Sequence, residues 1–389
     1  MIIQRAYKTE LNITEKQRTY FVQCAGVSRY VYNWALADRI SKHESGEKVG
    51  RFEQSRRWNS GKDELAPWVR EYPYVIQQES LAHLDLAYQN FFKRIKKGSD
   101  KAGFPKFKSR KNGIGSFSLR GNIHVESQRI KLPVIGWVKI FQEDYLPVGN
   151  VKINKATISE RAGHWFVSLQ VEEVIETPVP ATNDVIGIDV GIKSLAVCSN
   201  GKVFDNPKTL YKHQGRLARL QRELSRRQKG SHNREKTRLK LAREFYKIEC
   251  IRKNNLHNIT SYLVKKKKPS TIVVENLNVS GMMKNGHLSK SLSDASLAEL
   301  KRQLIYKAKW NGVKIVEADR WYPSTKKCSK CGNRKPMLSL GERVYKCDVC
   351  GHIEDRDLNA AKNLKSLVNK MPANGGFMPV ELACSNALL

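Results

Sequence analysis

No run of apolar residues in this 389-residue chain approaches the roughly 20 that a membrane-spanning helix needs, so the sequence does not read as a membrane-embedded protein. Acidic residues are scarce as well. Thirty-seven Asp and Glu face seventy Lys and Arg, and the formal charge of +33 sets up a self-repulsion that a polyanionic partner relieves. Nucleic acid is the leading candidate, with a ribosomal-type basic protein or one docking on an anionic membrane as the plainer alternatives. Four of the eight cysteines stand singly, at Cys24, Cys198, Cys250 and Cys384, which argues against a secreted disulfide framework. No leader is expected either, since Met1 runs straight into the alternating IIQRAYKTEL, and the protein is expected inside the cell. Apolar residues are plentiful, at 40% of a length that suffices for two or three packed domains.

The alternation from Ile2 to Leu11 predicts a strand, and Thr14 to Gln17 (TEKQ) has the spacing of a capping box that opens a helix. Tyr20, Cys24, Val27, Val31 and Trp34 then recur at helical spacing, as do Leu81, Leu84, Tyr88, Phe91 and Ile95, so residues 14–98 read as a helical module. From Gly103 the texture changes. GFPKFKSRKNGIGSFSLRG interleaves Phe104, Phe107 and Phe117 with Lys106, Lys108, Arg110, Lys111 and Arg120, and alternating runs such as WFVSLQVEEV follow, up to the Pro-containing ETPVPATND. This β-module suits single-stranded nucleic acid, with rings stacking on bases and cations following phosphates; equally, each Phe can be the inward face of a strand.

After that linker, the apolar run Val185 to Ile188 delivers Asp189, and Leu195 to Cys198 reads as a returning strand. A buried strand ending in one acid presents a carboxylate to a metal or to phosphates; an actin-like ATPase and a plain turn aspartate are alternatives of similar weight. Tyr211 to Lys268 is mostly helical, broken near KGSHN, with nineteen Lys and Arg against four Glu, an imbalance that favours phosphate contact over a merely solvated face. A second apolar strand, Thr271 to Val274, delivers Glu275, and one helix, DASLAELKRQLIYKAKWNG, leads to a short strand in VKIVEAD. Two CxxC hooks, Cys328 with Cys331 and Cys347 with Cys350, lie fifteen residues apart, each followed by glycine. Four soft thiolates in this pattern form a tetrahedral Zn2+ ribbon, with a redox pair or disulfides as the alternative.

Beyond the second hook Asp357 opens the helix LNAAKNLKSLVNK, so the acids run Asp189, Glu275, Asp357. Converging at a sheet edge, they would hold two Mg2+ ions about 3.5–4 Å apart and hydrolyse a phosphodiester. The ATPase alternative lacks a second glycine-rich phosphate loop and explains neither the hooks nor the charge. Asp357 stands three, four and seven residues before Ala360, Ala361 and Leu364, on a face expected to be buried against the sheet, while Asp355 is placed to cap the N–H of Leu358 and Glu354 is expected to be solvated.

GIDVGIKSLAV, IVVENLNVSGM, RWYPSTKKCSKCG, YKCDVCGHIEDRDLNAAKNL and GFPKFKSR together resemble the transposon-encoded TnpB proteins, RNA-guided nucleases related to the type V CRISPR effectors. The likeness runs to about Lys370, with Thr325 in place of a frequent serine and no counterpart for the tail. It implies a multidomain α+β protein: a RuvC-like nuclease of RNase H fold with an inserted zinc ribbon, a split, wedge-like β-barrel and a helical recognition module. On that pattern residues 1–13 and 99–180 form the barrel, 14–98 the helical module, 181–325 and 353–370 the nuclease, 326–352 the ribbon and 371–389 a disordered tail. The resemblance carries catalytic roles onto Asp189, Glu275 and Asp357. It implies a guide RNA held by the barrel, a target DNA cut beside a short flanking motif, and a prokaryotic cytoplasm with the protein on the nucleoid. An RNA-guided repressor that does not cut and a conventional transposase are the competing classes; all three acids are present here, and a transposase triad usually ends in Glu.

Overall fold

The computed structural model describes residues 1–98, 102–149, 151–176, 178–180, 182–339 and 341–368, so the expected tail at 371–389 lies outside the described residues. The chain divides into two compact units, Met1–Ile175 and Glu176–Leu389.

In the first unit β1 (Ile2–Asn12) leads into α1 (Glu15–Glu44), α2 (Arg51–Leu65) and α3 (Tyr74–Lys96), and six strands follow: β2 (Ser116–Leu119), β3 (His124–Val125), β4 (Arg129–Leu132), β5 (Gly136–Ile140), β6 (Lys152–Arg161) and β7 (His164–Val174). The capping box forms as the sequence predicts: Thr14 Oγ1 accepts from Gln17 N and the Gln17 side chain accepts from Thr14 N, satisfying two donors that the first helical turn leaves free. The strands make one antiparallel sheet in the order β2-β6-β7-β1-β5-β4-β3, so β1, which precedes the helices, lies between strands that follow them. Helices α1 and α3 cover this sheet, with Phe21 packed edge-on against Phe117 and Trp165 at centroid distances of 5.7 and 5.3 Å. The three phenylalanines of the basic stretch separate here. Phe117 is fully buried, whereas Phe104 and Phe107 are 46% and 56% exposed.

The second unit contains β8 (Val185–Asp189), β9 (Ser194–Cys198), β10 (Val203–Asp205), α4 (Thr209–Arg226), α5 (His232–Ser261), β11 (Thr271–Val274), α6 (Val279–Met282), α7 (Gly286–Ala295), α8 (Leu297–Asn311), β12 (Lys314–Glu317), β13 (Val344–Lys346), β14 (Ile353–Asp355) and α9 (Arg356–Lys365). Its sheet runs β10-β9-β8-β11-β12, with β8, β11 and β12 parallel, β9 antiparallel to β8, and β10 antiparallel to β9. Both faces of β11 are buried, which is why its four residues form an unbroken apolar run. The helix expected across DASLAELKRQLIYKAKWNG is two helices: Ser296 takes a left-handed φ of +52° and its N–H closes back onto Leu292 O, ending α7 before α8 begins. Among the described residues no helix is long and apolar enough to cross a membrane.

Candidate active site and metal centre

Strands β8 and β11 are parallel neighbours with Ile188 opposite Val274, so Asp189, the last residue of β8, and Glu275, the first beyond β11, come side by side at the carboxyl edge of the sheet. Helix α9 supplies the third acid. Ala360, Ala361 and Leu364 are fully buried, as their spacing from Asp357 predicts. The helix can approach because β8 carries a glycine at the crossing: a Cβ on Gly187 would sit 2.0 Å from Ala361 O and 2.5 Å from Lys365 N. Asp355 is the N-cap, its Oδ1 accepting from Asp357 N and Leu358 N at 3.0 Å each, so Asp357 is left on the helix's first turn.

The electrostatics of the three acids are those of a crowded carboxylate cluster. Burial first, then the charges of Glu275 and Asp357, push the Asp189 carboxyl well above the ordinary carboxylate range, and Arg356 partly offsets this. Burial likewise raises Glu275, against a hydrogen bond donated by Ser324 Oγ that holds it down. Hard oxygen donors are the ligand type that a divalent cation such as Mg2+ takes; among the described residues, the group whose ligand atoms all lie within 4.8 Å of one another is the four cysteines. The Arg356 guanidinium, 3.4 Å from Asp357 Oδ1, is part of the carboxylate cluster.

The four thiols converge within 4.8 Å of one another, with Cys328 Sγ 3.7 Å from Cys350 Sγ and Cys331 Sγ 3.6 Å from Cys347 Sγ. A tetrahedron of Zn–S bonds of about 2.3 Å has edges of about 3.8 Å, so the set fits Zn2+. Each hook closes through a glycine in the left-handed region: Gly332 N bonds Cys328 O at φ +80°, and Gly351 N bonds Cys347 O at φ +68°. Within this thiol cluster the backbone N–H groups of Cys350 and Val349 bring the Cys347 thiol down to about 6, while, against the Asn333 backbone N–H that lowers it, hydrogen bonding to the other thiols pushes Cys331 up to about 12, so the thiols share their protons until a metal displaces them.

Three features escaped the sequence reading. Glu354 is not a solvated neighbour: its side chain is 12% exposed, because it pairs with Lys362 on α9 and lies 3.4 Å from His352 Nε2. Ser324, 4% exposed, reaches Glu275 across 49 residues of sequence. Asn359 and Asn363, spaced four apart and buried on α9, bind the backbone of the first hook; two amides within an otherwise apolar helix face were the available signal. Away from these acids, Arg219, Arg222, Arg226 and Arg227 line a cavity of about 360 Å3 with Glu223, on the long basic helices.

Against this geometry the family comparisons are decisive. A family profile described as "Probable transposase" (OrfB_IS605) matches residues 166–286, one described as "Cas12f1-like, TNB domain" matches 298–364, and one described as "Helix-turn-helix domain" matches 1–48. A protein of Streptomyces pristinaespiralis, provisionally named an RNA-guided DNA endonuclease, is 36% identical over 373 residues, 93% of this chain and 89% of the relative. The chain belongs to the TnpB family. InsQ of Escherichia coli K12, another family relative with the same provisional name, is 32% identical, covering 92% of this chain and 91% of its own length. The fold is that of Cas12f1, whose complex with sgRNA and target DNA superposes at a TM-score of 0.55 with 18% identity, over 90% of this chain and 83% of Cas12f1. The span matched as helix-turn-helix is, in this structure, strand β1 followed by the single helix α1.

Proposed function

We propose that this protein is an RNA-guided DNA endonuclease of an insertion sequence, acting in a prokaryotic cytoplasm on DNA beside a short flanking motif. The observation that carries this reading is the ladder register that brings the ends of β8 and β11, with Asp189 and Glu275, together, and the Asp357 charge acting on both supports it. The order of three mixed strands, helices and two further parallel strands supports a RuvC-like RNase H fold for the second unit. Mg2+ ions held by Asp189, Glu275 and Asp357 would supply an activated water and charge stabilisation at the leaving oxygen of the phosphodiester. Ser324 donates a hydrogen bond to the Glu275 carboxylate, and Arg356 offsets part of the negative charge around Asp189.

Cys328, Cys331, Cys347 and Cys350 are proposed to hold one structural Zn2+. The seven-stranded sheet of the first unit is proposed to be the wedge-like barrel that holds the guide RNA, with α1 to α3 as the recognition module. Exposed Phe104 and Phe107 stand among lysines there, the arrangement that stacks bases while following phosphates. Base pairing then supplies sequence specificity and the protein reads the duplex shape and the flanking motif. Retention of all three acids favours cutting over guided repression.

Sequencing the RNA that co-purifies tests the proposal. One dominant species whose 3′ or 5′ segment, when replaced, redirects cleavage to a matching DNA is expected; random cellular RNA with unguided cutting overturns it in favour of a conventional transposase or a general nuclease.

A further inference from the structure

The segment between β12 and the first zinc hook is bound to α9 along its length. Tyr322 Oη donates to Asn363 O at 3.1 Å; Asn363 Nδ2 donates to Ser324 O at 2.8 Å and Lys327 O at 2.6 Å; Asn359 Nδ2 donates to Lys327 O at 2.7 Å and Asn359 Oδ1 accepts from Ser329 N at 2.9 Å. Both asparagines and Ser324 are buried, at 0%, 2% and 4% exposed. At the other end of the same segment Ser324 Oγ donates to Glu275 Oε1. Buried side-chain amides that each make two hydrogen bonds are costly to break, so these bonds fix a backbone rather than decorate it.

We infer that residues 322–329 form a strut in which Ser324 is a positioning residue for Glu275 and Asn363 a positioning residue for Ser324, so that the first hook sets the spacing between the second and third acids. The inference rests on the endonuclease reading. Glu275 sits at a strand end and Asp357 on a helix of separate origin, and no backbone ladder ties one to the other. Ser324 reaches both, through its hydroxyl to the carboxylate and through its carbonyl to the helix that carries Asp357 two turns earlier. Zinc in the hook then acts at a distance on the acids by holding the strut's far end.

The test uses the full chain with its co-purified RNA and measures Mn2+ binding by electron paramagnetic resonance, as the difference from Asp189→Asn carrying the same RNA. Removing the partner of a metal-ligating carboxylate weakens metal binding about 10- to 100-fold. Ser324→Ala should lose Mn2+ affinity by that factor and raise the Mg2+ concentration for half-maximal cleavage in parallel, with zinc still one per chain and RNA and target affinity unchanged. Ser324→Thr, which keeps the hydroxyl, should restore both, and Asn363→Ala, which leaves that hydroxyl in place, should reproduce the loss. Unchanged Mn2+ affinity in Ser324→Ala or Asn363→Ala overturns the strut, as does a Thr variant as weak as Ala with zinc intact. If the wild type cuts no programmed target while the Mn2+ differences persist, the endonuclease reading fails and the strut stands.

Discussion

Gly187 of β8 and Ala361 of α9 touch backbone to backbone, close enough that a Cβ on Gly187 would overlap the Ala361 carbonyl oxygen at 2.0 Å. The obstacle is main chain, which cannot swing aside, so Gly187→Ala must push α9 off the sheet. Overpacking of this kind costs about 3 kcal/mol, the upper end of the usual range. The variant should melt measurably lower in a thermal scan and cut at a small fraction of the wild-type rate, because Asp357 travels with the helix. Wild-type stability and activity together would show that α9 does not rest on β8 here.

That contact also marks where the sequence is legible. The acids at 189 and 275 stand out because each follows a run of apolar residues, which announces a buried strand and hence an acid at its end. The Asp355 cap and the buried face of Ala360, Ala361 and Leu364 follow from helix geometry alone. Glu354 reads as solvated because it stands in an acidic stretch with Asp355 and Asp357, whereas its partner Lys362 comes from the second turn of a helix that folds back beside it. Ser324 was invisible for a related reason: its bond to Glu275 joins segments 49 residues apart, and no local period encodes that. The fate of each phenylalanine in the basic stretch was equally hidden, since alternation does not say which side of a strand a core will cover.

One zinc per chain is expected from elemental analysis. Cys328 and Cys347 are buried and Cys331 and Cys350 more open, yet all four are needed to close the tetrahedron, so Ser at any one should release the metal. Cleavage should fall indirectly, with proteolysis near residues 330–350 appearing first. A protein that is fully active without stoichiometric zinc would contradict the assignment.

Metal-free protein should show an inverted pH dependence around its acids. Asp189 and Glu275 have folded pKa values raised above their unfolded ones, so their stabilising contribution is complete below the ordinary carboxylate range and is lost as pH rises through the raised values. In EDTA at neutral pH, Asp189→Asn should therefore melt higher than wild type, and the gap should close on acidification and on adding Mg2+. A wild type that is the more stable of the two in EDTA at neutral pH would mean that the acids do not repel one another.

Affinity for target DNA should fall steeply with salt. A charge of +33 with arginines clustered on α4 would make many phosphate contacts, and log K drops by roughly 0.9 per neutralised phosphate against log salt. Replacing Arg219, Arg222 and Arg226 with Gln should flatten the slope of RNA or DNA binding by about one unit per lost contact. An unchanged slope in both would place the nucleic acid elsewhere.

Asp355 and Asp357 divide structure from chemistry within one turn of helix. Asp355 spends its Oδ1 on two backbone N–H groups at 3.0 Å, so Asp355→Ala removes a cap worth about 1 kcal/mol and should slow cleavage only as far as the first turn frays. Asp355→Asn caps equally well and should be close to wild type. Asp357 makes no such backbone bond with its side chain in the described contacts; its charge raises Asp189 and Glu275, and it pairs with Arg356. Asp357→Ala should therefore abolish Mg2+-dependent cleavage while guide RNA and target DNA still bind, and Asp357→Asn should do the same, since the charge rather than the shape holds the metal. Parallel cleavage and binding assays on the four variants decide the matter: activity surviving in Asp357→Asn but lost in Asp355→Asn would show that the third ligand is the capping residue, with α9 beginning one turn later than this structure has it.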